Sequence, residues 1–290
     1  MCALSNSRSV SVITLGRMGF MAAYDVQTRF ARQHLDELSG KPNAHGVNTL
    51  LLVEHTPVYT VGVRGKEFNK SIETDLKKTG AEFYKTNRGG LLTFHGPGQL
   101  VVYPILNLQL FKPSLKWYGC QLEQTMINTL KQFGLTGRTT DQTGIWVEDR
   151  KIGTIGLHES HFITTHGVSL NCNVDLDWFK HIAPYGHAGV EVTSLAKETK
   201  QNVDHKDVVK PFLRCFQDVF DCELEFKMLE EKELKSTYIT RHAPTGKEFD
   251  AAPSVAGLSS RPKYTLRHLS TLSVAASPLG NLQSKNTPMW

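Results

Sequence analysis

Residues 88–99 read Arg-Gly-Gly-Leu-Leu-Thr-Phe-His-Gly-Pro-Gly-Gln, four glycines and a proline within twelve positions. Neither helix nor strand propensity accounts for that density, since glycine loses the most conformational freedom on ordering and proline lacks a backbone donor. Such a string belongs where main chain comes close to something else. It predicts a substrate loop, with Arg88, Thr93 and His95 within reach of the bound group. An arginine followed by two glycines sets a guanidinium fork beside backbone N–H groups, a device for a carboxylate, a thioester carbonyl or a phosphate. The plainer alternative is a tight turn with Arg88 in a surface ion pair.

The flanking sequence alternates short apolar runs with helical periods. Residues 10–15 read as a strand. From Phe20, Tyr24, Phe30, Ala31, Leu35 and Leu38 follow the helical repeat as far as Gly40. Strands are predicted at 49–53, 58–63, 100–108, 145–147, 152–157, 162–171, 190–194 and 223–227, and 82–86 leads into the glycine string. A short polar helix is predicted at 71–79, and longer ones at 114–133 and 206–220, the last with Val209, Phe212, Phe216 and Phe220 inward. Strands outnumber helices, and hairpins mix with crossovers. That pattern predicts a single α/β (α+β) domain on a mixed sheet over residues 10–227, not a doubly wound nucleotide fold. Beyond 228 the apolar period is lost, and 236–290 are rich in Ser, Thr, Pro and Gly, so 228–290 read as a mostly disordered tail.

Bulk properties narrow the function. In 290 residues with 40% hydrophobic content there is no run of about eighteen apolar residues, which argues against a membrane span. The net charge of +5 is spread along the chain without an arginine stripe interleaved with aromatics, which argues against nucleic acid. Five cysteines with no Cys-x-x-Cys pair speak against a disulfide framework or a zinc ribbon, and for a reducing compartment. His158-Glu159-Ser160-His161 falls one residue short of the His-Glu-x-x-His zinc helix in a strand-like context, so no metal is expected.

Three further segments carry candidate chemistry. In 149–156, Asp-Arg-Lys-Ile-Gly-Thr-Ile-Gly, Lys151 opens a glycine-rich strand. A lysine there can lower the pKa of a neighbouring thiol or donate to a developing oxyanion; otherwise it is a solvated hairpin lysine. In 165–176, His166 and Gly167 interrupt a strand-like run, where glycine marks a close approach. In 182–195, a Pro/Gly-punctuated turn feeding a strand presents the residue at 185.

Taken in order and at these separations, the four segments resemble the lipoyl(octanoyl) transferase family over roughly residues 10–227. The resemblance implies the mixed-sheet catalytic fold shared by biotin and lipoate protein ligases. It implies transfer of an octanoyl group from octanoyl-acyl carrier protein to a lysine of lipoyl domains, those of 2-oxoacid dehydrogenase complexes and the glycine cleavage H protein. No cofactor is implied. The family's eukaryotic members, with a short Ser-rich N-terminus lacking acidic residues, imply a mitochondrial location. The family's substrate loop maps onto Arg88, Gly89, Gly90, Leu91, Leu92, Thr93, Phe94 and His95. Further acyl-site positions map onto Thr154, Ile155 and Gly156 and onto Gly167, Val168 and Ser169, glycines keeping the slot narrow. Lys151 matches the lysine that lowers the pKa of the nucleophile, a thiolate that first takes the acyl group from the thioester.

The chain departs from the family at that nucleophile. The family's Pro-Cys-Gly is here Pro184-Tyr185-Gly186. A phenol titrates near 10 against about 8.5 for a thiol, is the poorer nucleophile, and is bulkier. Three explanations follow, in this order: a Cys→Tyr change that leaves the family function but impairs this chain; rescue by Cys172, whose alternative is a buried strand residue; and direct attack of the acceptor lysine on the bound thioester. Two other function classes remain beside the transferase, a non-catalytic binding module for acyl carrier protein or lipoyl domain, and an ATP-dependent lipoate or biotin-type ligase.

Overall fold

The computed structural model describes residues 8–65, 68–182 and 189–229. In chain order the elements are β1 (Ser9–Met18), α1 (Phe20–Leu38), β2 (Thr49–His55), β3 (Val58–Val61), α2 (Lys70–Lys77), β4 (Glu82–Lys85), β5 (Leu92–His95) and β6 (Gln99–Ile105). There follow α3 (Leu115–Lys131), β7 (Gly137–Arg138), β8 (Ile145–Val147), β9 (Arg150–Ser160), β10 (Ile163–Asn171), α4 (Asp177–Lys180), β11 (Glu191–Val192), α5 (Leu195–Thr199), α6 (His205–Phe220) and β12 (Glu223–Lys227).

The large sheet runs β12-β1-β2-β6-β10-β9-β8-β7, with β11 joined to β9. Its β12, β1 and β2 are mutually parallel, and from β2 to β7 each neighbour is antiparallel. This is the mixed sheet expected. A second sheet, β4-β3-β5, was not: β5 falls inside the glycine string, yet Leu92, Thr93 and Phe94 pair with Val61, Thr60 and Tyr59. The string is therefore half strand.

Helices cover both faces of the large sheet for legible reasons. In α3, Tyr118, Leu122, Met126 and Leu130 recur every four residues and are fully buried, and Ser114 caps the helix by accepting from Trp117 N. In α6, Phe212, Phe216 and Phe220 lie on one stripe with Val208 rather than Val209 fully buried, behind an Asp204/Asp207 capping box. Together they close one core with Val168 and Leu170 of β10 and with Cys172 just after it. On the opposite face α1 packs through Phe20, Ala23, Gln27, Ala31 and His34, while Leu38, expected inward, is exposed. Gln27 is buried because its Oε1 accepts from His166 N at 2.9 Å. The small sheet has its own core, in which Phe94 stacks on Trp178 at 4.9 Å. No described helix is long and apolar enough to cross a membrane. The tail from 230 and the N-terminal seven residues lie outside the described residues.

Candidate active site

A cleft of about 870 Å³ lies between the α1 face of the large sheet and the small sheet. It is lined by Phe20, by Leu92 and His95 of β5, by Val101 and Tyr103 of β6, by Lys151, Thr154 and Gly156 of β9, and by His166 and Gly167 of β10. The segments that are distant in sequence, 88–95 and 151–168, thus share one cavity.

Lys151 reaches it through a bulge. Ile145 pairs with Gly153 but Trp146 pairs with Lys151, which leaves Ile152 without a counterpart on β8. Ile152 sits in the helix-side core, and a Cβ on Gly153 would meet Met126 at 2.7 Å, so both residues face α3. Because these two neighbours share one face at the bulge, Lys151 stays on the cleft side together with Thr154 and Gly156. The Lys151 Nζ lies 5.6 Å over the Trp146 ring. It rests against Gly144, where a Cβ would stand 2.4 Å from its Cε. No described residue pairs with its ammonium. Burial, and then the charges of Arg64 and Arg88, bring its pKa down to about 8.

Arg88 is arranged otherwise. Its Nε and Nη2 donate to Thr60 Oγ1 at 3.2 and 2.9 Å, Nη2 also to Thr60 O at 2.6 Å and Leu91 O at 3.0 Å, and Nη1 to Gly89 O at 2.9 Å. All of these acceptors are uncharged, and burial depresses the guanidinium to about 10.

Buried neutral groups stand at the deep side of the wall. His55 donates from Nδ1 to Met18 O at 3.1 Å and therefore accepts the Tyr103 hydroxyl on Nε2 at 2.6 Å. Burial holds its pKa near 4 and pushes the Tyr103 phenol upward. His166 Nε2 stands 2.8 Å from Asn87 Oδ1, and burial takes it to about 3. The result is a cleft whose deep wall is uncharged around an amine that no described residue pairs.

The family model for the lipoyl protein ligase A/B catalytic domain matches residues 25–217. The mitochondrial octanoyl-acyl-carrier-protein:protein N-octanoyltransferase LIPT2 of Danio rerio is 46% identical over 75% of this chain and 95% of that protein. Its human namesake is 38% identical over 74% and 95%. The chain belongs to the octanoyltransferase family. Its eukaryotic relatives at 36–46% identity are named mitochondrial, which places this octanoyltransferase in the same compartment. Among solved structures, a putative lipoate protein ligase of T. acidophilum with bound lipoic acid covers 79% of the chain and is covered to 93%, with TM-score 0.59 and 15% identity. A lipoate-protein ligase A bound with ATP gives TM-score 0.60 at 15% identity over 79% of this chain and 93% of its own. These neighbours show the ligase fold expected from the sequence.

Within this octanoyltransferase several expectations change. Arg88 is neither a free fork nor a surface ion pair; it is a buried strut between β3 and the loop, because its donors are spent on Thr60, Gly89 and Leu91. Gly89 and Phe94 do not line the cleft: Gly89 N donates to Leu157 O, and Phe94 belongs to the small sheet's core. Gly156 and Gly167 line the cleft and also admit the protein's own atoms. A Cβ on Gly156 would stand 3.0 Å from Arg88 Cδ, and one on Gly167 would stand 2.1 Å from Val102 O. Gly90, Leu91 and Thr93 line the cleft, Ile155 and Val168 border it although both pack with the α3/α6 core, and Ser169 joins it indirectly, its hydroxyl 2.7 Å from Thr154 Oγ1.

Cys172 does not line the cleft. It alternates with Gly167, Ser169 and Asn171, points with Val168 and Leu170 into the α3/α6 core, and burial pushes its thiol up to about 12. Tyr185 lies outside the described residues; Ile182 and Val190 on either side of its segment both line the cleft. Sequence reasoning missed His55, Tyr103 and Asn171. No motif marks the first two, while Asn171 stood within the 165–176 string without a role.

Proposed function

We propose that this chain transfers an octanoyl group from octanoyl-acyl carrier protein to lysines of lipoyl domains, in 2-oxoacid dehydrogenase complexes and the glycine cleavage H protein. The observation that supports it most is Lys151, a buried amine that no described residue pairs, depressed to about 8 inside the cleft that the 88–95 string helps to wall. An octanoyl chain brings about seven methylene or methyl groups at roughly 0.8 kcal/mol each, enough to dominate ground-state binding. Arg88 braces the loop; Leu92, Thr93, His95, Thr154 and Gly156 flank the acyl group. Lys151, as the ammonium, stabilises the anion of the attacking group at position 185.

A phenol there is a weak acceptor of the acyl group, so transfer by this chain is slow and Tyr185→Cys speeds it. Incubation with octanoyl-acyl carrier protein and a lipoyl domain, read by mass spectrometry, tests this. The expected result is an octanoyl adduct on position 185 in the Tyr185→Cys chain and a faster-modified lipoyl domain. No modified lipoyl domain with either chain removes the transferase reading and leaves a binding module. The ligase alternative is tested by calorimetric titration with ATP, for which no binding is expected.

A further inference from the structure

An unbroken file of buried side chains runs from the cleft to the strand that follows position 185. The Asn171 amide nitrogen donates to Thr193 O at 2.9 Å. A carbonyl only accepts, so the Asn171 Oδ1 faces the other way, where it receives Gln99 Nε2 at 2.9 Å. Gln99 Nε2 is fixed a second time by Phe94 O at 3.3 Å. Gln99 Oε1 is therefore the atom that stands 3.1 Å from His95 Nδ1. It has only lone pairs to offer, so the proton of the ring sits on Nδ1. Gln99 is 1% exposed and Asn171 4%, so water does not compete for these bonds.

We infer that Gln99 and Asn171 are positioning residues that lock His95 in its Nδ1–H form, so that its Nε2 lone pair accepts an N–H of the incoming lysine amine. The inference rests on the transfer reading above. His95 lines the cleft, and its Nε2 has no partner among the described residues. An attacking amine must aim its own lone pair at the acyl carbonyl carbon while its N–H bonds point elsewhere, and a fixed acceptor sets that orientation. The opposite tautomer would present N–H to N–H. Burial, with the neighbouring His55 and Arg88, keeps the ring neutral by depressing it to about 3, so the lone pair is present across the physiological range. The far end of the file is tied to the lysine strand as well, since Thr193 N donates to Lys151 O at 2.9 Å. Four segments scattered over the sequence are thereby held in one register.

The test is histidine 15N NMR on the full chain, with the His95 signals assigned by their loss in His95→Gln, beside transfer rates measured in chains that also carry Tyr185→Cys. The expected result is protonated Nδ1 and bare Nε2 in the parent. Gln99→Leu should give mixed tautomers and a ten- to hundredfold (about) slower transfer. Gln99→Glu, which keeps an acceptor oxygen beside Nδ1, should restore the proton on Nδ1. Asn171→Leu, which frees the Gln99 amide to turn, serves if Gln99→Leu fails to fold. A parent ring protonated on Nε2, or an unchanged tautomer in both leucine variants, overturns the relay. A lost tautomer with an unchanged rate overturns its part in transfer. No transfer by any chain while Nδ1–H persists instead overturns the transferase reading and, with it, the amine assignment.

Discussion

Arg88 and Lys151 are two cations held in one cleft, and they are supported in opposite ways. Arg88 gives its protons to three backbone carbonyls and one hydroxyl, while no described residue pairs with the Lys151 ammonium. Burial depresses both, to about 10 and about 8. Only the second value falls where a proton can be exchanged near neutral pH. A saturated buried cation is part of the frame, and an unsaturated one is available for chemistry.

That contrast can be broken most sharply by removing each cation. Lys151→Met in a chain carrying Tyr185→Cys should slow transfer by about 10²–10⁴, measured on the lipoyl domain, with the fold intact. Arg88→Met should instead leave the carbonyls of Thr60, Gly89 and Leu91 without donors and cost about 3–5 kcal/mol in urea unfolding. If the stability loss fell on Lys151 and the rate loss on Arg88 alone, the comparison would be reversed.

A pH series sharpens it further. The native pKa of Lys151, about 8, lies below its ordinary 10.5, so between those values the unfolded chain holds more protons and stability rises with pH. Parent and Lys151→Met should differ by at most roughly 3 kcal/mol at pH 7, the variant being the more stable. The gap should close as pH climbs from about 8 toward 10.5, read from urea midpoints of both chains. The smallest effect is expected at Cys172→Ala, about 1 kcal/mol of stability and no change in transfer rate. A rate loss there would return the thiol to the reaction.

Much of this architecture was legible in periodicity. Every strand predicted from residues 10 to 227 has a counterpart, and α3 and α6 bury the stripes their sequences announce, within one position at Val208. The orientation of Cys172 was legible too, since Val168, Leu170 and Cys172 alternate with small or polar neighbours. What escaped were features made by contacts across the chain. The glycine string conceals β5 because its pairing depends on Val58–Val61. Arg88 looks like a ligand-binding fork until Thr60 is found beside it. Gln99 and Asn171 are 72 positions apart, and nothing local in either segment foretells their bond.

The unmatched Ile152 carries a consequence for how this hairpin can vary. Were the pairing to slip so that Trp146 opposed Ile152, strict alternation would turn the lysine into the helix layer and the isoleucine into the cavity, with no residue altered. The isoleucine is fully buried against the helices, so its side chain anchors the register that keeps the amine in place. A polar substitution there would disarm the cavity from behind.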